Sequence, residues 1–269
     1  MNRIHATAVI EDGAQLQDAV AIGPNCFVGA GSCLGEGTVL EANVVICENV
    51  KIGKNNHFFP NCVIGGKPQI LNLKPDAKIG GLVIGDNNTI REMVTIHPSM
   101  HHDASTRIGS DNLIMVGAHI GHDCTIEDKT VISNYCQMGG HCKIETGVWL
   151  SGVVLFHQFV TIGRWCYAAG MAGINKDIPP FLIVSGHYPP EVRGVNKRGL
   201  VRAGLSPQQQ KAISESYKRL YRDDRMPLLQ KAKEMAAETG HDDNVRDMLN
   251  AIIRSSEHRF GRYLETFRH

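Results

Sequence analysis

The chain has 269 residues, and its formal net charge of +1 argues against a dedicated nucleic-acid-binding protein. The charge is unevenly distributed, since residues 1–190 carry 12 basic and 16 acidic side chains while residues 191–269 carry 16 and 11. The basic C-terminal part suits an acidic partner and equally suits a solvated helical surface. No stretch has the length of a membrane span or the pattern of a signal peptide, so we expect a cytoplasmic protein without an integral membrane segment.

An apolar residue recurs at every sixth position through most of the chain up to Ile174. The spacing is unbroken from Ile4 to Ile64, resumes from Ile84 to Ile96 and returns from Ile108 to Ile174. A period of six fits neither an α-helix nor an alternating strand. It resembles the hexapeptide repeat of left-handed parallel β-helices, in which three hexads make one triangular coil. We predict a mainly β fold, a left-handed parallel β-helix of hexapeptide repeats followed by a C-terminal α-helical domain.

The cysteines support this register. Six of the eight lie four residues after a repeat position, where the hexapeptide pattern places a small inward-facing side chain. We therefore assign them a packing role and expect neither disulfide bonds nor metal sites from them. These residues are Cys26, Cys62, Cys124, Cys136, Cys142 and Cys166.

Two excursions interrupt the array, at residues 65–83 and 97–107. The interval from Ile64 to Ile84 equals one coil of three hexads plus two further positions. The first excursion contains Pro68 and Pro75, and we expect both excursions to project from the prism as loops. Such loops often line functional sites.

The repeats stop near Ile174, which predicts a β-helix over residues 1–176, a connector over 177–205 and a C-terminal helical domain over 206–269. Ser206-Pro207-Gln208-Gln209 has the form of a helix start, with a serine cap, proline at the first position and glutamine three residues after the cap. Further helices are predicted near 228–238 and 244–259. We expect this domain to cover the open end of the β-helix or to pack between subunits.

A cluster of histidines marks the candidate site. With three hexads per coil, residues i and i+18 stack about 4.8 Å apart across parallel strands. This spacing brings side chains from three successive coils to one corner, on the outside of the prism and beside the glycines Gly139 and Gly140. The clustered residues are His122, Asp123, His141, His157 and Gln158, with His119 one face earlier.

The chemistry of this cluster is that of a general base. A neutral imidazole such as that of His122 can take a proton from a hydroxyl group, and a neighbouring carboxylate such as Asp123 can fix its tautomer. A glycine N–H such as that of Gly140 can stabilise an oxyanion. No serine or cysteine lies in the cluster, so direct acyl transfer to an alcohol or amine is the simplest reaction that it supports.

Several longer motifs resemble those of the UDP-N-acetylglucosamine O-acyltransferases, which catalyse the first step of lipid A synthesis. The resemblance extends from Ile4 to about Arg259. The motifs are Thr89-Ile90-Arg91-Glu92 through His97, Gly117-Ala118-His119-Ile120-Gly121-His122-Asp123-Cys124, Gly139-Gly140-His141, His157-Gln158-Phe159, Asp177-Ile178-Pro179-Pro180, and Gly194-Val195-Asn196 followed by Gly199-Leu200 and Arg202.

The resemblance implies a homotrimer with active sites between subunits, in which an (R)-3-hydroxyacyl chain passes from acyl carrier protein to the 3-hydroxyl of UDP-N-acetylglucosamine. It gives the basic C-terminal part an acidic partner, the carrier protein. We expect no cofactor, and no metal requirement because no ligand set is evident at the His122 corner. By resemblance, His122 is the base, Asp123 its orienting acid and Gly140 the oxyanion amide. The remaining implied residues are His119, His141, His157 and Gln158 at the acyl and sugar sites, Asn196 and Arg202 at the nucleotide, and Gly170 as the limit on acyl-chain length.

The sequence departs from the family pattern in the first excursion. Where the family carries Asp-Leu-Lys against the sugar, this chain has Ile70-Leu71-Asn72 with Lys74 nearby, and Arg198 replaces a carboxylate. We therefore take Asn72 and Lys74 as the candidate sugar contacts and keep a 3-amino sugar as an alternative acceptor.

Three other classes of protein were weighed. A related N-acyltransferase family carries an additional N-terminal uridine-binding domain, for which repeats beginning at Ile4 leave no room. A β-helical zinc enzyme of the γ-carbonic-anhydrase type would use His97 and His102, whose spacing is suggestive but which lack an evident third ligand. A non-catalytic solenoid scaffold is disfavoured by the histidine cluster.

Overall fold

The repeats form three parallel sheets that are the faces of a triangular prism. The computed structural model describes residues 1–74, 76–223 and 225–268. Pro75 of the first excursion, and residues 224 and 269 of the predicted C-terminal domain, lie outside the described residues.

Most strands are only two residues long, because each hexad uses the other four residues to turn the corner of the prism. The first sheet contains Arg3–Ile4, Ala21–Ile22, Val39–Leu40, His57–Phe58, Thr89–Ile90, Leu113–Ile114, Val131–Ile132, Trp149–Leu150 and Tyr167–Ala168, continued by Leu182–Ser185 and Glu191–Val195. The second contains Val9–Ile10, Phe27–Val28, Val45–Ile46, Val63–Ile64, Thr95–Ile96, His119–Ile120, Gln137–Met138, Leu155–Phe156 and Gly173–Ile174. The third contains Gln15–Leu16, Cys33–Leu34, Val50–Ile52, Gly81–Ile84, Ser105–Ile108, Thr125–Ile126, Lys143–Ile144 and Thr161–Ile162.

The register confirms the coil of three hexads. Within the second sheet, His119 pairs with Gln137, and Gln137 pairs with Leu155, all in parallel. Residues i and i+18 therefore stack in columns along the prism, as the repeat predicts. The predicted fold class, a left-handed parallel β-helix with C-terminal helices, is confirmed.

The core is built from two positions of each hexad. The repeat residue and the small residue four positions later both point inward, as Ile120 and Cys124 do, each fully buried. The six cysteines assigned to this slot are buried, and the eight cysteines of the described chain are free thiols. Burial raises the pKa of Cys62 and of Cys166 to about 12, so these thiols stay protonated and unreactive at neutral pH.

Most corners turn through one residue with positive φ, three positions after the repeat residue. Asparagine fills this position at several corners, such as Asn43 and Asn55, because it tolerates the left-handed conformation better than most residues. The same position holds Asp123 (φ 60°), His141 (φ 62°) and Phe159 (φ 67°). The column expected to carry the site thus shares its left-handed backbone with the other two corners of each coil, as at Lys129 and Tyr135.

Each excursion is an insertion within a coil, and neither takes the place of a whole coil. Ile84 pairs with Ile52, whereas an uninterrupted coil would bring position 70 to that place. The interpretation of the interval from Ile64 to Ile84 as one coil plus two positions was wrong, because Ile84 lies on the face that directly follows Ile64. Ile84 also pairs with Ile108, where an uninterrupted coil would bring position 102, so the second excursion is likewise an insertion.

The C-terminal helices are α1 (Lys197–Arg202), α2 (Pro207–Tyr221), α3 (Leu228–Ala236) and α4 (Asp243–Ser255), followed by a 3-10 helix, Tyr263–Phe267. The predicted capping box is present, since Ser206 Oγ accepts from the Gln209 N–H and the Gln209 side chain accepts from the Ser206 N–H. The segment predicted as a plain connector contains α1 and an antiparallel strand pair. No helix in the described part of the chain is long and apolar enough to cross a membrane.

The glycines that follow repeat residues make room for the next coil. A Cβ at Gly23 would lie 2.7 Å from the Glu41 carbonyl oxygen, and one at Gly85 would lie 2.8 Å from the Gly109 carbonyl oxygen. Backbone atoms cannot move aside as a side chain can, so these positions exclude larger residues.

We expect Gly85→Ala to destabilise the protein by roughly 1–3 kcal/mol, because the added methyl overpacks against backbone of the adjacent coil. Gly194→Ala is the matched control, since a Cβ there meets no atom within 4 Å. The free energy of unfolding from urea denaturation measures both variants. Equal stabilities for the two variants would contradict this account of coil packing.

Candidate active site

The candidate site lies at the corner between the second and third sheets. His122 and Asp123 lie in the turn between the strands His119–Ile120 and Thr125–Ile126. The corresponding turn of the next coil holds Gly140 and His141, and the His141 N–H donates to the His122 carbonyl oxygen at 2.9 Å. The coil register thus places the predicted residues in adjacent layers.

His122 and Asp123 form a hydrogen-bonded pair. His122 Nδ1 lies 2.8 Å from Asp123 Oδ2, and the two side chains are 12% and 8% exposed. Because an ionised carboxylate can only accept, Nδ1 carries the proton and donates it to Asp123. The other ring nitrogen, Nε2, is then an unprotonated acceptor suited to a general base.

The second excursion holds the Asp123 carboxylate. Ser99 Oγ donates to Oδ1 in a short hydrogen bond, and the Met100 N–H donates to Oδ2 at 3.1 Å. The Asp123 N–H in turn donates to Thr106 Oγ1 at 2.8 Å. Burial would raise the pKa of the Asp123 carboxyl, but the hydrogen bonds from His122, Ser99 and Met100 outweigh it and lower this pKa to about 2. The carboxylate is therefore ionised at neutral pH.

Bare glycine backbone lies beside the His122 ring. A Cβ at Gly140 would lie 2.6 Å from His122 Nε2, and one at Gly121 would lie 2.9 Å from the Gly140 nitrogen. The Gly140 N–H has no acceptor among the residues that the structure describes. The equivalent N–H groups of Ser110 and Thr146 donate to carboxylates. Gly140 thus offers an uncovered donor close to the candidate base, as an oxyanion site requires.

Two more predicted histidines flank this pair. The His141 ring stacks on Phe159 at 4.5 Å between centroids and lies edge-on to His122 at 5.0 Å. Burial lowers the pKa of His141. His119 Nδ1 lies 2.9 Å from Thr95 Oγ1, and burial with the nearby His97 and His122 lowers the pKa of His119 to about 4. Both imidazoles are therefore favoured in the neutral form.

A cavity of about 270 Å³ lies beside His122 and His141. Of the predicted residues, His122, His141 and Gln158 line it. Sequence reasoning missed several lining residues, because they come from the excursions and the C-terminus, where no repeat fixes their position. These are Ile70, Met100, His101, Phe267 and Arg268. Phe159 also lines the cavity and lies in the predicted column of Asp123 and His141.

Other predicted residues lie outside this cavity. His157 occupies the expected column but is exposed, and its Nδ1 faces the Gln158 carbonyl oxygen at 3.1 Å. Asn72 and Lys74 are exposed on the first excursion, whose Ile70 is the residue that reaches the cavity.

A second cavity, of about 690 Å³, lies on the first sheet and contains the predicted nucleotide residues Asn196 and Arg202. The Arg202 guanidinium lies 4.9 Å from the Trp149 ring centre. The Asn196 side chain is structurally engaged, since its Oδ1 caps α1 by accepting from Gly199 and its Nδ2 donates to the Trp165 carbonyl oxygen. Within one chain the two cavities lie on different faces of the prism.

Gly170 flanks the second sheet at the edge opposite His122. It precedes the last strand of that sheet, Gly173–Ile174, whereas His122 follows the strand three coils earlier. Gly170 does not have positive φ, and a Cβ there would make ordinary contacts with the Gly152 carbonyl oxygen at 3.5 Å and the Ser151 Cβ at 4.0 Å. Backbone conformation therefore does not account for glycine at this position.

His97 and His102, which were considered as zinc ligands, lie in different environments. His97 is buried with Nδ1 on the Gly66 carbonyl oxygen at 2.8 Å, whereas His102 is exposed and pairs with Asp103. Among the described residues, His101, Asp123 and His141 each offer a possible metal-ligand atom, and these atoms lie within 4.8 Å of one another. A metal ion there would compete with His122 for the Asp123 carboxylate.

Two family models match the chain. Residues 177–261 match the model described as UDP N-acetylglucosamine O-acyltransferase, domain 2, and residues 105–140 match six bacterial transferase hexapeptide repeats.

Similar proteins extend this match over nearly the whole chain. A protein of Herminiimonas arsenicoxydans named acyl-[acyl-carrier-protein]–UDP-N-acetylglucosamine O-acyltransferase is 41% identical over 94% of this chain and 95% of its own length. One of the same name from Paraburkholderia xenovorans is 40% identical over 96% and 98%. The crystal structure of Francisella novicida UDP-N-acetylglucosamine acyltransferase superposes with a TM-score of 0.87 at 37% identity, covering 96% of this chain and 92% of that one. At this identity over nearly full length, the chain belongs to the UDP-N-acetylglucosamine O-acyltransferase family.

Proposed function

We propose that this protein transfers an (R)-3-hydroxyacyl chain from acyl carrier protein to the 3-hydroxyl of UDP-N-acetylglucosamine, in lipid A biosynthesis. The observation that carries the proposal is the His122–Asp123 pair, which lies beside the uncovered Gly140 N–H at the edge of a cavity. The names of the relatives supply the donor and the acceptor.

The reaction proceeds by direct transfer. His122 Nε2 takes the proton from the acceptor hydroxyl as its oxygen attacks the thioester carbonyl carbon. The Gly140 N–H stabilises the oxyanion of the tetrahedral intermediate. The carbon–sulfur bond then breaks, and the leaving thiolate takes the proton back from the His122 imidazolium. Asp123 stabilises that imidazolium and holds Nδ1 as the donor.

The remaining proposed contacts lie around this centre. His119, His141, His157 and Gln158 would line the acyl and sugar sites, Asn72 and Lys74 would approach the sugar, and Asn196 and Arg202 would bind the nucleotide. Because the cavity holding Asn196 and Arg202 lies on a different face from His122, a complete site requires two copies of the chain.

We propose that these copies form a homotrimer. A column of exposed apolar side chains runs along the corner beside Gly170, as expected of a surface that another subunit covers. The column contains Met93, Tyr135, Val153 and Met171, which are 50%, 51%, 43% and 73% exposed.

Product analysis tests the proposed function. The purified protein is incubated with a panel of 3-hydroxyacyl carrier proteins and UDP-sugars, and the products are identified by mass spectrometry. The proposal expects an acylated UDP-N-acetylglucosamine. Acylation of only a 3-amino UDP-sugar would favour the alternative acceptor, and no acylated sugar at all would refute both.

Replacing the base should abolish most turnover. We expect His122→Ala to lower kcat by roughly 10²–10⁴, because the acceptor hydroxyl loses its proton acceptor. His102→Ala is the matched control, since His102 also pairs through Nδ1 with the next residue, Asp103, but on the exposed surface. Steady-state kinetics measure kcat for variants whose melting temperature equals that of the wild type. Near-normal turnover of His122→Ala would assign the base to His141 or His157 instead.

Ionisation of Asp123 should not shape the pH profile. The hydrogen bonds at Asp123 lower its pKa to about 2, so the carboxylate stays ionised from pH 5 to pH 8 and cannot cause an inflection there. Any acid-side loss of kcat/KM above pH 5 then belongs to another group, either a histidine or Asp177, whose pKa burial raises to about 6. Asp123→Asn should lower kcat at every pH in this range, because an amide no longer fixes the His122 tautomer. A rate for Asp123→Asn equal to wild type would contradict the orienting role.

Acyl-chain length is proposed to be measured at Gly170. We propose that the acyl chain runs along the prism surface from His122 toward Gly170, and a methionine at Gly170 would project into the space beside Gly152 and block the far end of that path. We expect Gly170→Met to prefer shorter hydroxyacyl donors, because each methylene of a longer chain that is no longer buried loses about 0.8 kcal/mol. The kcat for the shorter donors should be largely retained. Gly194→Met serves as the control, and a competition assay with donors of mixed length gives the profile. An unchanged profile in a folded Gly170→Met protein would place the length limit elsewhere.

A further inference from the structure

The C-terminal segment, residues 261–268, is fixed against the last coil of the prism. The Asp177 N–H donates to the Gly261 carbonyl oxygen at 2.7 Å, and Asp177 Oδ2 accepts from the Tyr263 N–H at 2.9 Å. The Arg262 side chain is buried at 8% exposure and donates to the Asn175 carbonyl oxygen at 3.0 Å. These contacts give the segment a defined path from the coil end toward the histidine corner.

That path ends at the catalytic cavity. Leu264 and Phe267 line a small neighbouring cavity together with His141 and Phe159. Phe267 and Arg268 line the same cavity as His122. The Arg268 guanidinium lies 5.7 Å from the centre of the Phe159 ring. The chain therefore brings an arginine to the candidate site from a segment far beyond His122 in the sequence.

Arg268 gives the cavity its permanent positive charge. Among the described residues that line the cavity, it is the one side chain that is cationic at every working pH. Its ion-pair partner, Glu265, lies 3.4 Å away and is shared with the buried Arg262, which donates to Glu265 at 2.8 Å. Arg268 itself is 62% exposed, so its remaining N–H groups are open to an anion.

We propose that Arg268 binds a phosphate group of a substrate whose reacting end lies at His122. The inference rests on the proposed function, because both proposed substrates carry phosphate: the diphosphate of the UDP-sugar and the phosphodiester that joins the thioester arm to the carrier protein. The planar guanidinium donates two parallel hydrogen bonds to phosphate oxygens. The chemistry of the ligand is therefore fixed, and its source is one of two molecules.

Equilibrium binding distinguishes the sources without turnover. Isothermal titration measures UDP-N-acetylglucosamine and a 3-hydroxyacyl carrier protein separately against the wild-type full-length chain, Arg268→Gln and Arg268→Lys. Loss of a charge-assisted phosphate contact should weaken one of the two ligands about 10-fold to 100-fold in Arg268→Gln. Arg268→Lys should recover part of the loss by retaining the charge. The ligand that weakens identifies the phosphate.

Arg259→Gln is the matched control, because Arg259 also lies on a ring, that of Phe260, but outside the cavity. It should bind both ligands as the wild type does. If Arg268→Gln binds both ligands as tightly as Arg259→Gln, or more tightly, Arg268 is not a phosphate contact. Wild-type turnover is measured in parallel. If the wild type turns over and Arg268→Gln binds both ligands as the wild type does, this inference alone is overturned. If the wild type binds neither ligand, the proposed function is overturned as well.

Discussion

Within uninterrupted coils each residue stacks on the residue at i+18, and this register positions the core, the corners and the candidate site. It follows from three six-residue sides per coil and from parallel pairing that keeps the register, as between His119 and Gln137. Side chains far apart in sequence become neighbours about 4.8 Å apart along a column. The candidate site uses this directly, because His122 belongs to one coil and the Gly140 N–H beside it to the next.

The same register sets the strain at the site. Most corners contain one residue with positive φ, and at the histidine corner the side chains in that position are Asp123, His141 and Phe159. Left-handed backbone costs an ordinary L-residue about 1–2 kcal/mol, so His141 and Phe159 destabilise the coil where Asn or Gly would not. Their stacking, their burial and the hydrogen bonds to Asp123 offset this cost and hold the side chains outward over the cavity. The strain is not confined to this corner, because Lys129 and Trp165 have positive φ at other corners.

The periodic part of the molecule could be predicted from sequence and the aperiodic part could not. The repeat fixed the coil length, the inward cysteines and the column of Asp123, His141 and Phe159. It could not show that Ser99 and Met100 close on Asp123, or that His101 lines the cavity, because an inserted loop has no register. The length of the first excursion was misjudged for the same reason, since the spacing between Ile64 and Ile84 does not reveal which face Ile84 occupies. The approach of Phe267 and Arg268 depends on tertiary contacts of a segment without repeats.

If the acyl group is transferred at the His122 corner with Gly140 as the oxyanion donor, a crystal structure of the protein with a bound 3-O-acylated UDP-N-acetylglucosamine should show it. We expect the sugar 3-oxygen within hydrogen-bonding distance of His122 Nε2 and the acyl carbonyl oxygen facing the Gly140 N–H. An ester bound away from His122, or with its carbonyl oxygen directed to another donor, would rule out this assignment.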